Sequence, residues 1–270
     1  MKIKKLVAVL FALCLAVGVM ALSASASEIV ASGTCGADGD NLTWTLDDEG
    51  TLTISGEGEM AGYACKQWNM YDIYSVIINE GVTSIGSHAF YECYELTDIS
   101  IPLGVLKIGS GAFYCCTKLT EIELPDTVTR IDDSAFSLCR KINDLVIPNS
   151  VNKIGIYSFS GCKSLEKIIF VGAAPTIGSY AFENVTASIY YSADDASWTE
   201  DVRLNYGGSL MWLPVSKPHI TAQPEIIYAR YGESAEVSVK VDGVAITYQW
   251  YISADGENFT KASGNGDTYS

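Results

Sequence analysis

A 23-residue period governs this chain. Between residues 75 and 189, phenylalanine recurs at Phe90, Phe113, Phe136, Phe159 and Phe182. Isoleucine recurs at Ile85, Ile108, Ile131, Ile154 and Ile177. Cysteine recurs at Cys93, Cys116, Cys139 and Cys162, and Val185 takes its place in the fifth copy. Three residue types held to one period in three columns cannot come from composition bias. A fixed period of this size marks a stacked-coil solenoid.

The third copy, residues 121–143, shows what one coil must look like. Ile122 and Leu124 alternate with Glu121 and Glu123, which predicts a short strand with one buried face. Pro125 stops the ladder because it has no N–H to donate. Val128 and Ile131 turn inward. Ala135, Phe136 and Cys139 follow at helical spacing, which predicts one tight helical turn. Leu119 completes the inward set. A single coil cannot cover both flanks of its apolar stripe, so stacking must bury a continuous core. The phenylalanines are expected to form a spine, with strands of successive coils paired about 4.8 Å apart.

The pattern Leu-x-x-Ile-x-Leu-Pro-x-x-Val-x-x-Ile-x-x-x-Ala-Phe-x-x-Cys resembles the BspA-like class of leucine-rich repeats. The resemblance covers residues 75–189. It implies a mainly β fold, a right-handed solenoid of 23-residue coils, and adhesion or protein binding rather than catalysis. Gly33-Thr34-Cys35-Gly36, followed by the alternation Leu42–Leu46, the turn Asp47–Gly50 and the return Thr51–Ile54, resembles the β-hairpin cap that precedes such repeats. Residues 27–74 are read as that cap, with Trp68, Met70 and Tyr71 sealing the first coil. Residues 190–216, with Tyr190, Tyr191, Trp198, Tyr206 and Trp212, resemble the matching C-terminal cap.

The outer segments read differently. Residues 1–26 have a basic start, an apolar run and Ala24-Ser25-Ala26, the form of a secretory signal peptide. An uncleaved anchor is the alternative, but the run is short for it. Cleavage removes Lys2, Lys4 and Lys5 and takes the formal charge from −15 to −18. Such acidity argues against nucleic acid and anionic membranes as partners, and no membrane insertion is expected after cleavage. Beyond the linker Pro214–Pro218, residues 217–270 alternate around Trp250 and resemble the start of a bacterial immunoglobulin-like sandwich. Only about half of the roughly 100 residues such a domain needs are present, so a truncated domain is expected.

Chemistry-bearing residues are sparse. The ladder cysteines fall one per coil on an inward column, at about 4.8 Å rather than the roughly 3.8 Å Cβ separation of a disulfide. They are expected to be buried thiols acting as small hydrophobes. Cys115 must face another way and is the candidate reactive thiol. Cys35 and Cys65 could close a loop across the cap, but connectivity cannot be read from sequence. His88 stands in a column filled elsewhere by Gly111, Ser134, Tyr157 and Tyr180, and is expected to be an exposed bystander. No metal spacing, phosphate loop or cofactor signature stands out, and the paired carboxylates sit on a repeating face rather than in a cleft.

The expected binding surface is the outward strand face. One column is Asp98, Glu121, Asp144 and Lys167; the next is Ile77, Ser100, Glu123, Val146 and Ile169. The candidate ligand-binding residues are Asp98, Ser100, Glu121, Glu123, Asp144, Val146 and Lys167. They vary where the inward columns repeat, as recognition residues on a fixed frame would, and as unconstrained residues also would. Tyr91, Tyr94 and Tyr114 form a second candidate patch, or else pack under the cap. The expectation is a non-enzymatic protein, secreted or at the cell surface, that binds a host or cell-surface protein or a glycan. An accessory region of a longer secreted enzyme and a spacer displaying other domains are the alternatives.

Overall fold

The computed structural model describes residues 27–68 and 70–216, together with the backbone of six short strands beyond them. The signal-peptide reading of residues 1–26 lies outside the described residues. The six strands between His219 and Tyr269 form three separate antiparallel pairs. The sandwich expected over residues 217–270 therefore has no support among the described residues.

The phenylalanine column forms a spine through the stack. All five rings are fully buried, with successive centroids 5.1–5.7 Å apart and planes within 15° of parallel. Trp68 continues the file at the N-terminal end, its ring 5.8 Å from Phe90. Trp44 meets Trp68 edge-on at 5.7 Å. Met70 and Tyr71, expected beside Trp68 as part of the seal, are instead exposed. Ile85, Ile108, Ile131 and Ile154 are buried, while Ile177 in the last copy is only partly so.

The coils contribute to two parallel ladders. The second ladder runs unbroken through Gly58–Glu59, Val82–Ile85, Lys107–Ile108, Arg130–Ile131, Lys153–Ile154 and Thr176–Ile177. The first ladder is interrupted. Thr51–Gly56, Ser75–Ile78 and Asp98–Ser100 pair in one stretch. Asp144–Ile147, Lys167–Phe170, Thr186–Ser192 and Ser209–Val215 pair in another. The strand expected at Glu121–Leu124 joins neither. The register places Glu121 between Asp98 and Asp144, and like charges directly opposite one another destabilise a ladder. Ile122 still points into the core.

The two ends are more coil-like than simple caps. The hairpin Gly39–Asp47 with Thr51–Gly56 forms where the sequence places it. Its second strand is also the first rung of the parallel ladder. A further strand, Ile29–Gly36, pairs outside it. At the other end, a 21-residue step pairs Lys167 with Ser188, and Thr186 then pairs with Ser209, 23 residues on, so the ladder continues to Val215.

The segment around each phenylalanine is not a helical turn. Its N–H groups alternate in direction. Ala135, Ser137 and Cys139 donate within their own coil, to Asp132, Ser134 and Phe136. Phe136 and Leu138 donate across to Ser158 and Ser160 of the next coil, at 2.7 Å each. A helix would keep every N–H inside the segment. The alternation is set by two left-handed residues per coil, two places before and two places after each phenylalanine. Ser134 (φ 54°) and Leu138 (φ 63°) fill them here, and His88 and Glu92 fill them in the first coil. A non-glycine residue at such φ breaks a helix and is tolerated only where neighbours enforce it.

Candidate functional site

The outward strand columns form as expected in part. Register pairs Ser75 with Asp98 and Ile77 with Ser100 on one stretch, and Asp144 with Lys167 and Val146 with Ile169 on the other. Asp98, Ser100, Asp144 and Val146 are exposed, and Lys167 is half-buried with its Nζ 6.0 Å from the Tyr190 ring centroid. Glu121 and Glu123 are exposed at the interruption. The columns are not uniform, because Ile169 is buried despite its outward register. Asp98, Glu121, Glu123 and Asp144 form no ion pair among the described residues.

The second ladder carries the opposite sign. Lys107, Arg130 and Lys153 stand in register on successive coils. Asp132 compensates two of them, at 3.3 Å from Lys107 and hydrogen-bonded by Arg130. Acidic and basic columns thus occupy different ladders of one frame. This segregation was not visible in a linear reading, because Lys107, Arg130 and Lys153 belong to the second strand of each coil, which only the paired registers set apart from the acidic column.

The turn edge differs most from expectation. His88 is half-buried rather than a bystander. Its ring stacks on Tyr63 with centroids 4.5 Å apart, and its Nδ1 is shielded without a hydrogen-bond partner. Tyr91 and Tyr114 stack on each other at 5.0 Å, so they pack rather than project, while Tyr94 stays exposed. Glu92 accepts from the Tyr94 hydroxyl and pushes its pKa up to about 12. Cys115, expected to be reactive, is half-buried, and burial and the Glu92 charge push its thiol up. Reactivity needs thiolate, so this environment protects it.

The ladder cysteines do more than fill space. Cys116, Cys139 and Cys162 each donate from Sγ to the carbonyl of the phenylalanine 26 residues earlier, at 3.0–3.2 Å. Those carbonyls, on Phe90, Phe113 and Phe136, also accept the N–H three residues on, so both lone pairs are used. Burial pushes the Cys116 and Cys139 thiols well above their ordinary range and Cys162 to about 12. Cys35 is a free buried thiol, also raised to about 12 by burial. The side chain of Cys65, its expected partner, lies outside the described residues. No group of three His, Cys, Asp or Glu side chains suited to a metal occurs among the described residues.

Residues 63–188 match the BspA type leucine rich repeat region in six copies, one more than the five counted from the columns. That stretch is a BspA-type leucine-rich repeat region, and the fold around it is a mainly β solenoid. No curated protein matches the chain. Among solved structures, a leucine rich cell surface protein from Faecalibacterium prausnitzii is 27% identical, with a TM-score of 0.41 over 60% of this chain and 56% of its own. The T. pallidum leucine rich repeat protein is 23% identical, with a TM-score of 0.40 over 56% of this chain and 89% of its own. The pneumococcal vaccine antigen PcpA is 16% identical, with a TM-score of 0.46 over 62% and 47%. At these TM-scores the likenesses carry no argument about ligands. The chain spans just over half the length of the Faecalibacterium protein.

Proposed function

We propose that the chain is a non-catalytic binding protein, secreted or held at a cell surface, that grips a protein partner through the outward face of the first ladder. The carrying observation is the set of exposed carboxylates on Asp98, Glu121, Glu123 and Asp144, without ion pairs among the described residues. Held on a rigid frame, they complement a basic protein surface, and such charge complementarity sets specificity and association rate. Ser100, Val146 and Lys167 fill the remaining positions of the patch. Leucine-rich repeat regions of this type generally serve binding rather than catalysis, which supports the same reading.

The test is a binding screen of the full mature chain against extracellular matrix and host-surface proteins. Glu121→Lys with Glu123→Lys should weaken the interaction about tenfold or more, with steep salt dependence in the wild type. An unchanged interaction in that double variant removes the first ladder as the binding face.

A further inference from the structure

We propose that one edge of the solenoid is a self-complementary contact for a second copy of this chain, the two copies running antiparallel. The edge lies just after the cysteine column, where two surface columns follow the stack. One starts with Tyr71 and Tyr94 and ends with Arg140 and Lys163. The other starts with Asp72 and Glu95 and continues with Lys118 and Lys141. The inference does not rest on the function proposed for the strand face.

Contacts between coils show these residues to be neighbours. Lys118 Nζ lies 2.5 Å from Glu95 Oε2, 23 residues back. Tyr71, Asp72, Tyr94 and Glu95 share one hollow of about 190 Å³. The edge is therefore graded along the rod. Its first two levels are aromatic and acidic, and it turns basic from the third level on. Glu92 adds an exposed carboxylate to the first half. Asp144 and Glu166 border the second half on its strand side, but the two columns carry no carboxylate there. Asp72, Arg140, Lys141 and Lys163 are exposed and form no ion pair among the described residues. Lysine and arginine number only 17 against 32 acidic residues, so four of them in two adjacent columns is a local concentration against the overall charge.

Such a gradient fits a copy of itself. A two-fold axis at the middle level, beside Thr117, exchanges the first level with the fifth and the second with the fourth. Tyr94 and Glu95 then face Arg140 and Lys141 of the partner subunit, while Tyr71 and Asp72 face the partner's Lys163. Each carboxylate meets a cation, and each tyrosine ring offers its face to one. Lys118, nearest the axis, is already matched by Glu95 of its own subunit. A foreign partner would need the same gradient in reverse, which a second copy supplies by symmetry. Levels about 4.8 Å apart make the strip roughly 20 Å long. A strip that long and two side chains wide covers well under the roughly 800 Å² per partner of a standard interface. The dimer is therefore weak and reversible, with a Kd on the order of 10–100 μM. The formal charge of −15 sets whole copies against each other. At about 0.15 M salt the Debye length is about 8 Å, which screens that repulsion and spares pairs in contact.

The experiment is sedimentation equilibrium on the full mature chain, up to about 1 mM protein in about 0.15 M salt. The wild type should dimerise reversibly. One variant, Arg140→Glu with Lys141→Glu and Lys163→Glu, makes the whole edge acidic apart from Lys118. Another, Asp72→Lys with Glu95→Lys, makes its paired positions basic. Each alone should weaken self-association about tenfold or more, with Tm unchanged because the side chains are on the surface. Mixed one to one, the two variants should form a heterodimer, since the facing pairs are again opposite in sign. Tyr94→Ala should weaken the wild-type dimer about two- to fivefold. Glu121→Lys with Glu123→Lys should leave it intact, so this proposal and the strand-face proposal fail separately. A wild type that stays monomeric at about 1 mM overturns the proposal, whether or not it binds an arginine-rich peptide through Glu95. So does a dimer indifferent to both edge variants, a mixture that fails to pair, or a dimer lost in the Glu121 and Glu123 variant, which would move the contact to the strand face.

Discussion

Phe136→Ala is the sharpest test of the stacked core. Phe136 is fully buried, its ring 5.1 Å from Phe113 and 5.3 Å from Phe159. Truncating a buried phenylalanine costs about 3–5 kcal/mol. Two stacked neighbours are lost at once, each worth about 0.5–1.5 kcal/mol beyond area burial, which places this site near 4–5 kcal/mol. A domain holds about 5–15 kcal/mol in total, so the loss is a large share. The position matters as much as the size. Coils touch only their neighbours, so a missing central rung uncouples the two ends. Trp44 and Trp68 report the N-terminal end, and Trp198 and Trp212 report the C-terminal end. Urea titrations of versions keeping one pair should show coincident transitions in the wild type and separated ones in the variant. A loss under about 1 kcal/mol, with both ends still melting together, would refute a spine through which each ring depends on the next.

Other consequences can be measured directly. Cys139→Ala removes the Sγ donor to the Phe113 carbonyl and should cost about 1–2 kcal/mol by thermal unfolding. Burial raises the Cys162 thiol from 9.0 to about 12, so its contribution is complete below pH 9 and fades as pH climbs towards 12. The urea midpoint should therefore fall on the alkaline side, and Cys162→Ala should flatten that fall. Replacing both Glu121 and Glu123 by threonine should stabilise the fold by about 0.2–1 kcal/mol through relief of the acidic column, seen as a raised urea midpoint at low salt. Native Cys115 should alkylate more slowly than a free thiol at pH 8, and Glu92→Gln should speed it.

The inward columns were legible because packing tolerates little. Phe, Ile and Cys recur at fixed spacing wherever a side chain must meet its copy in the next coil, and Leu119, Val128 and Ala135 all lie in the core as read. The turn conformation was not legible. The left-handed position before each phenylalanine holds His88, Gly111, Ser134, Tyr157 and Tyr180, a series with no common residue type. There the backbone geometry is imposed by cross-coil hydrogen bonds and not by local preference. The interrupted ladder escaped notice for a related reason. Glu121 and Glu123 alternate well with Ile122 and Leu124, so the local pattern alone predicts a strand, and the repulsion from Asp98 and Asp144 in the same column acts only once the coils are stacked.

The interrupted first ladder has a mechanical consequence. On one side of the third coil the hydrogen-bonded rungs stop, while on the other they run through. Pulled from its two ends, the rod should tear open at Glu121–Leu124 on that side first and swing about the intact second ladder, like a book opening on its spine. Where shear from flowing liquid or a moving host surface loads such a molecule, this seam sets which half lets go.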